Sequence, residues 1–196
     1  MNYLAHLFLS EPSDERRIGS ILADFTIGTI DDLKAKYTKD IASGIKHHRQ
    51  IDRYTDTHPA VLHSVEALRK KYGVYSGIIV DVVFDHFLLK HWDRFSSEPE
   101  AHFMESIYQS LNRWDWDFPE RYQKVIGHMV KTKWLDCYHD LDKVSYALKR
   151  IGDRFSRETP LGHAIEGVRD SYELIESDFL EFFPDLMDFS DSVVPH

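Results

Sequence analysis

The sequence predicts an all-α protein, built as one compact multi-helix domain. Apolar residues recur three and four positions apart along most of the chain, as on the buried face of a helix, and no segment sustains the two-residue alternation of a half-buried strand. The 196 residues, 42% of them hydrophobic, are enough for a single packed core. We therefore expect residues 1–196 to form one domain.

Four helices are predicted before residue 75. The first is "MNYLAHLFLS", closed by "EPSDE", and the second is "ERRIGSILADFTIG", with apolar residues at helical spacing. The polar "TIDDLKAKYTKD" is a short helix or a loop. The third helix, "IASGIKHHRQIDRYTD", should end before Pro59, because proline disfavours a helical residue in front of it. The fourth, "HPAVLHSVEALRKKYG", should stop at Gly73.

The fifth helix, "GIIVDVVFDHFLLKHWDRF", is apolar on nearly all sides, which is typical of a central helix. Only its beginning could pass for a strand, and the continuation favours a helix. Four more helices follow: "EPEAHFMESIYQSLNRW", "PERYQKVIGHMVKTKWLDCY", "DLDKVSYALKRIGDRF" and "TPLGHAIEGVRDSYELIESDFLEFFPDL". We expect the last of these to close at Pro184.

The charge balance and the cysteine content limit the function. The formal net charge of −9 argues against nucleic acid as a partner, since binding phosphates needs a surplus of Lys and Arg. Cys137 is the only cysteine, which fits a reducing compartment. The N-terminus lacks a basic segment and a cleavage site, and no run reaches the roughly 18 apolar residues of a membrane span. We expect a soluble, cytoplasmic protein without a membrane partner; its oligomeric state stays open.

Polar residues interrupt the apolar faces of four helices. On the third helix His48, Asp52 and Asp56 are four residues apart and so form one stripe. On the fifth helix Asp81 and Asp85 share a face.

Four further positions add to this set. His86 is the next residue round from Asp85, Asp24 interrupts an apolar turn of the second helix, and Asn2 and His6 share a face of the first. Caps or turns are the alternative roles for Asp24 and Asp56. His91 lies off the Asp81–Asp85 face, so a core or capping role fits it better.

A metal ion explains the carboxylates on the fifth helix. A buried unpaired carboxylate costs several kcal/mol, and two on one face repel each other unless a positive charge lies between them. A divalent cation is the simplest solution, with Arg49 or Arg53 as the alternative. Imidazole and carboxylate ligands without a thiolate suit Mn²⁺, Fe²⁺ or Mg²⁺, and zinc less strictly. Because such a site activates water and holds phosphoryl oxygens, phosphoester hydrolysis is the first reaction class to consider.

The chain contains four motifs in this order: "MNYLAHLFLS", "GSILADFTIG", "GIKHHRQIDRYTD" and "DVVFDHFLLKHW". Together with the C-terminal "FLEFFPDLMDF", they resemble the acyl carrier protein phosphodiesterase family. That family is similar to the HD-type phosphohydrolases. The resemblance implies an HD-like fold and removal of 4′-phosphopantetheine from holo acyl carrier protein. It also implies a divalent metal, with Mn²⁺ expected and Mg²⁺ or Fe²⁺ as alternatives.

The family's motif residues map onto the positions selected above. These are Asp24, His48, Asp52, Asp56, Asp81, Asp85 and His86. Asp85 and His86 stand in the reverse order of the His-Asp doublet for which the HD group is named, so roles do not transfer one for one.

The resemblance nevertheless suggests roles. The expected metal ligands are Asp24, His48, Asp85 and His86. The expected catalytic residues are Asp52 and Asp81, as ligand, general base or orienting group, and Arg49, stabilising charge on the phosphoryl oxygens. The expected pocket residues are Asn2, His6 and Asp56.

An acidic carrier protein would need basic residues for docking on this acidic chain. The candidates are Arg16, Arg17, Arg53, Arg69, Lys70 and Lys71. Two alternative functions remain: an HD-like phosphohydrolase acting on a nucleotide or another small phosphoester, and a helical interaction module without enzymatic activity.

Overall fold

The all-α prediction is confirmed in a computed structural model, which describes residues 1–112 and 117–193. No strand occurs within these two ranges. The α-helices are α1 Tyr3–Phe8, α2 Asp14–Leu22, α3 Ile30–Lys36, α4 Lys39–Thr55, α5 Pro59–Tyr72, α6 Ser76–Lys90, α7 Trp92–Phe95, α8 Glu100–Asn112, α9 Glu120–Thr132, α10 Leu141–Gly152, α11 Ala164–Asp170 and α12 Tyr172–Val193. Short 3₁₀ helices cover Ala23–Phe25, Gly73–Tyr75, Trp134–His139 and Pro160–His163.

A close helix crossing joins α2 to α4 through two glycines. A Cβ on Gly19 would meet the carbonyl oxygen of Ile41, and a Cβ on Gly44 would meet that of Arg16. Only hydrogen side chains let the two backbones approach this far. Because both helices run in the same direction from this crossing, their C-terminal ends also lie side by side.

Helix α6 is the central helix, as its sequence predicts. Phe84 and Phe87 are fully buried, and both rings contact Phe179 of α12, with centroids 5.3 and 5.9 Å apart. Phe179 in turn stacks on Phe183, with ring centroids 5.0 Å apart. These aromatic contacts fix the long C-terminal helix across the core.

Helix ends follow local sequence signals at several places. The segment predicted as a short helix or a loop is helix α3, because the side chains of Thr29 and Asp32 form a capping box. Helix α5 begins at Pro59 and ends before Gly73, as predicted. Gly73 has a φ of 56°, which favours glycine there.

The predicted end at Pro184 is wrong, because α12 continues through this residue to Val193. Pro184 lacks the N–H that would bond the carbonyl of Leu180. Its position on the exposed side of the helix lets water solvate that carbonyl instead. Burial of Phe182, Phe183 and Leu186 keeps the helix packed on both sides of the proline.

One stretch of the described residues, Pro59–Lys90, is long enough to cross a membrane and contains an 18-residue window with a mean hydropathy of 1.4, apolar enough by composition. However, 67% of its apolar window is buried inside the fold. This is the pattern of core helices, and the stretch consists of α5, a 3₁₀ turn and α6.

Candidate active site

Four side chains from three helical segments meet at one end of the α2–α4 crossing. His6 belongs to α1, Asp24 to the 3₁₀ turn that extends α2, and His48 and Asp52 to successive turns of α4. Asp52 Oδ1 lies 3.0 Å from His6 Nε2, and Asp52 Oδ2 lies 3.0 Å from His48 Nε2. Asp24 Oδ1 lies 3.4 Å from the same His48 nitrogen. We call these four residues the His-Asp cluster.

Geometry within the cluster suits a metal ion. One ligand atom each from His6, His48 and Asp52 can be chosen so that all lie within 4.8 Å of one another. The two imidazoles are stacked, with ring centroids 3.7 Å apart and planes inclined by 15°. Both histidines are buried, whereas the side chains of Asp52 and Asp24 are 39% and 47% exposed, so the cluster opens toward solvent on its carboxylate side.

Unpartnered nitrogen atoms support the same interpretation. Within the described part of the chain, both ring nitrogens of His6 and Nδ1 of His48 are buried without a hydrogen-bond partner. His6 Nε2 is close to Asp52 but is not aligned for a hydrogen bond with it. A buried polar atom without a partner is costly, and a cation bound between His6 Nε2 and the Asp52 carboxylate would remove that cost at His6 Nε2. The donor set fits a divalent ion.

The cluster also sets opposite pKa shifts on its two histidines. Burial, and then the charge of His48, lowers the pKa of His6 to about 4. Burial acts on His48 in the same direction, but the carboxylates of Asp24 and Asp52 outweigh it and raise the pKa of His48 to about 9. For Asp52 the neighbouring imidazoles outweigh burial and hold the pKa of its carboxyl well below the usual range. The cluster therefore favours the ionised form of Asp52.

Arg49 binds the backbone next to the cluster, at the segment that follows Asp24. Its guanidinium donates to the carbonyl oxygens of Gly28 at 2.8 Å and Thr26 at 3.3 Å. Both carbonyls belong to the segment that follows Asp24. Arg49 thus ties this segment to α4, and the structure occupies two of the donors that the sequence assigned to phosphoryl oxygens.

Asp81 lies at the edge of the cluster. Its Oδ1 is 3.1 Å from the α-amino group of Met1, which is also 3.5 Å from Asp52 Oδ1. These two carboxylates outweigh the effect of burial and raise the pKa of the amino group to about 10. Asp56 lies at the end of α4, and its side chain is exposed. Partial desolvation by the surrounding protein, and then the charge of Asp81, raise the pKa of its carboxyl.

Asp85 does not join the four residues, although the sequence places it among the metal ligands. It is fully buried, and its two carboxylate oxygens accept hydrogen bonds from the backbone N–H groups of Leu4 and Ala5, each at 3.0 Å. Burial raises its pKa to about 7. Asp85 therefore caps the first turn of α1 and positions the helix that carries His6.

His86, the other ligand proposed from α6, also lies outside the cluster. Its Nδ1 is 2.7 Å from the carbonyl oxygen of Tyr138, and its Nε2 is 2.9 Å from the hydroxyl of Tyr172. Both ring nitrogens are thus engaged by protein groups. Asn2, proposed as a pocket residue, donates from Nδ2 to the hydroxyl of Tyr138 at 2.5 Å.

Two of the six basic residues proposed for docking are part of the fold. Arg16 pairs with Glu11 and Asp40, both at 3.0 Å, and buried Arg17 donates to Ser110. Charge reversal at either position would therefore test folding more than docking.

The other four docking candidates are exposed. Arg69 pairs with Glu66 on its own helix, and Lys71 lies within 3.9 Å of Glu166 and Asp170. Arg53 and Lys70 are exposed. None of the six is placed by a described contact with the His-Asp cluster.

The sequence predicts a pocket role for His6, and the structure places this residue in the His-Asp cluster. The signal in the sequence is a histidine inside the apolar run "YLAHLF". Helical projection cannot tell which of several polar stripes will meet, because that depends on how the helices cross.

The chain is similar to known proteins over nearly its whole length. The family model described as acyl carrier protein phosphodiesterase matches residues 1–186. Relatives named "Acyl carrier protein phosphodiesterase" include one from Photorhabdus laumondii subsp. laumondii, 29% identical over 96% of this chain and 94% of its own. Those from Enterobacter sp. (strain 638) and Yersinia pestis are each 31% identical over 95% of this chain and 96% of their own. No solved structure matches.

Proposed function

The chain belongs to the acyl carrier protein phosphodiesterase family, and from that membership we propose that it hydrolyses holo acyl carrier protein. The bond cleaved is the phosphodiester between a serine of the carrier and 4′-phosphopantetheine. The products are apo acyl carrier protein, with its serine hydroxyl restored, and free 4′-phosphopantetheine. The observation that carries the proposal is the His-Asp cluster, a phosphohydrolase-type donor set within a chain matched by the family over residues 1–186.

The reaction depends, in this proposal, on a divalent metal held by His6, Asp24, His48 and Asp52. A divalent ion there would lower the pKa of a water molecule and offset the negative charge of the phosphoryl oxygens. Mn²⁺ is the expected ion, with Mg²⁺ and Fe²⁺ as alternatives, because these ions accept mixed imidazole and carboxylate ligands. This set replaces Asp85 and His86, proposed from the sequence, by His6 and Asp52.

The chain's own groups bind and orient the substrate. The exposed carboxylate side of the cluster faces the solvent from which a phosphodiester approaches, and the buried histidines close its other side. Without a cation Asp24, Asp52 and Asp81 would repel the diester anion, which supports the need for a metal. Asp81, partly exposed beside the cluster, is the carboxylate that we propose accepts a proton from the attacking water.

The test is a mass-spectrometric assay of holo acyl carrier protein incubated with the protein and Mn²⁺. We expect loss of the phosphopantetheine arm, no loss in excess EDTA, and recovery when Mn²⁺ is restored. Full turnover in EDTA would rule out the metal dependence. If the carrier stays intact while a nucleotide from a panel is hydrolysed, the proposal that holo acyl carrier protein is the substrate is wrong. Fractionation of cells would test the proposed cytoplasmic location.

A further inference from the structure

A groove of about 500 Å³ lies between α9, α10 and the 3₁₀ helix that connects them. Its lining includes Arg121, Lys124, His128, Trp134, Arg150 and Arg154. We call it the basic groove. Its cationic lining is unusual in a chain whose formal net charge is −9.

Most positive charge in the basic groove is not neutralised by the protein. Lys124 pairs with Glu120 at 2.6 Å. Arg150 donates to the ring nitrogen Nε2 of His128 at 2.8 Å, and this acceptor carries no negative charge. Within residues 1–112 and 117–193, no carboxylate lies at ion-pair distance from Arg121, Arg150 or Arg154. Elsewhere on the surface several basic residues, including Arg69 and Lys71, are paired with acidic neighbours.

The groove adjoins the His-Asp cluster through two aromatic contacts. The guanidinium of Arg121 lies 5.6 Å from the ring centre of Phe25, which is the residue next to Asp24. At the inner wall the ring of Trp134 meets that of Tyr3 edge to face, with centroids 5.9 Å apart.

Tyr3 is influenced from both sides of this boundary. Burial, and then the charge of Asp24, raises its pKa to about 12, while Arg154 and Arg121 act in the opposite direction. Its hydroxyl therefore lies within electrostatic range of a cluster carboxylate and of two groove arginines. A molecule whose phosphodiester reaches the cluster would bring its neighbouring surface over the groove.

We propose that the basic groove is the docking surface for the acidic face of the carrier protein, next to the serine that bears the phosphodiester. This inference rests on the proposed function and adds the position of the partner. Arginines without an internal carboxylate partner can form charge-assisted, bidentate hydrogen bonds with Asp and Glu side chains. They also attract an acidic protein toward a chain that would otherwise repel it.

The chemistry of the groove favours carboxylates of the carrier over the rest of the substrate. The pantetheine arm is uncharged, so several arginines would gain little from it. The scissile phosphate belongs at the His-Asp cluster. Nucleic acid is disfavoured by the acidic surface of the remaining protein.

The experiment measures binding of apo carrier protein and hydrolysis of holo carrier protein by the same variants. The test variant is Arg121→Glu with Arg150→Glu, both exposed, and the milder version is Arg121→Gln with Arg150→Gln. The control is Lys34→Glu with Lys36→Glu on α3, which makes the same charge change at exposed positions outside the groove. Thermal melts verify that each variant is folded.

We expect the double Glu variant to weaken apo carrier binding and to raise the KM for holo carrier by at least about tenfold, with kcat within about twofold. The Gln variant should change both in the same direction by less, and the control should stay within about twofold. Raising the salt concentration should weaken wild-type binding but have little further effect on the double Glu variant.

Three outcomes would overturn the docking surface: unchanged binding in a folded double Glu variant, an equal effect in the control, or a fall in kcat without a rise in KM. These outcomes are distinct from failure of the proposed function. If wild-type protein binds apo carrier through the groove but leaves holo carrier intact, the docking surface stands and the reaction is wrong.

Discussion

At the scale of single residues, hydrogen bonding separates two histidines that the sequence presents as similar. His6 and His86 both interrupt otherwise apolar helices. His86 has protein partners at both ring nitrogens, whereas neither ring nitrogen of His6 has a hydrogen-bond partner within the described structure. A nitrogen without a partner is free to bind an ion, and this distinguishes the proposed ligand from the structural histidine.

Replacing each histidine by asparagine tests this distinction. We expect His6→Asn to abolish the Mn²⁺-dependent rise in Tm and to lower kcat at least about a hundredfold, as loss of a ligand or its support often does. His86→Asn should lower the Tm of the metal-free protein but keep the Mn²⁺-dependent rise. Differential scanning fluorimetry with and without Mn²⁺ gives both values. If instead His86→Asn abolishes the Mn²⁺-dependent rise in Tm and His6→Asn keeps it, His86 is the ligand, as predicted from the sequence.

A second residue pair provides a pH-dependent prediction away from the site. Hydrogen bonding to Asp178, with an Nδ1–Oδ1 distance of 3.0 Å, raises the pKa of His63 above its ordinary value. Because the folded-state pKa is the higher one, the stability from this pair is fully present below about pH 6.5, the unfolded pKa. That stability is lost as the pH rises through the folded-state pKa.

The pKa of His63 is measured by NMR titration of its imidazole protons. We expect Asp178→Asn to lower it toward about 6.5, and Glu181→Gln, which removes a weaker and more distant charge, to lower it less. A pKa of His63 that is the same in wild-type protein and Asp178→Asn would show that the ion pair does not form in solution.

At the scale of elements, the glycine crossing of α2 and α4 determines where the site forms. Asp24 follows Gly19 by five residues and His48 follows Gly44 by four, so the two side chains reach each other only because the helices touch at the glycines. Arg49 then holds the turn after Asp24 against α4. Because the two helices pack closely at the glycines, the carboxylate of Asp24 and the imidazole of His48 lie close together.

Gly19→Ala should therefore reduce both stability and activity. The added methyl group would meet the carbonyl of Ile41, so the helices must separate at a cost of about 1–3 kcal/mol or more in the free energy of unfolding. Urea denaturation measures this cost, and the carrier assay measures the loss of kcat. Gly127→Ala in α9 is the matched control: its Cβ meets nothing within 4 Å, so stability should rise by about 0.5–1 kcal/mol. A Gly19→Ala protein as stable as wild type would refute the close crossing.

At the scale of the whole molecule, aromatic residues hold the C-terminal helix against the central one. Phe179 of α12 lies between Phe84 and Phe87 of α6 and also contacts Phe95 and Phe183. The ring thus links the C-terminal third of the chain to its middle, while the His-Asp cluster is formed by α1, the turn after α2, and α4. The aromatic contacts that stabilise the fold and the side chains proposed for the chemistry therefore lie in different parts of the molecule.

Phe179→Ala should lower the free energy of unfolding by about 3–5 kcal/mol, since it removes a fully buried ring from a close-packed cluster. The metal-dependent rise in Tm should persist, because the ring contacts of Phe179 are with Phe84, Phe87, Phe95 and Phe183, none of which belongs to the His-Asp cluster. Urea denaturation followed by circular dichroism and by tryptophan fluorescence gives the cost and shows whether the transition stays cooperative. Phe155→Ala, at a side chain 41% exposed, should cost far less. Equal costs at the two positions would contradict this account of the core.

Sequence reasoning predicted the helices well where the signal is local. Periodicity, the proline at the start of α5 and the glycine after it are properties of neighbouring residues, and the helices follow them. It failed at Pro184, where packing of the phenylalanines on both sides outweighs the local preference of proline. It also missed the basic groove, whose arginines are spread from residue 121 to residue 154 and form no motif.

Patterns of neighbouring residues predict the helical class, the polar stripes on α4 and α6, and the family. Which polar groups meet depends on how the helices pack: His6 enters the His-Asp cluster, while Asp85 caps α1 and His86 bonds to Tyr138 and Tyr172. The physical reason is that helical periodicity fixes the direction of a side chain only relative to its own helix. The helix crossings, set here by Gly19, Gly44 and the Asp85 cap, fix which faces come together.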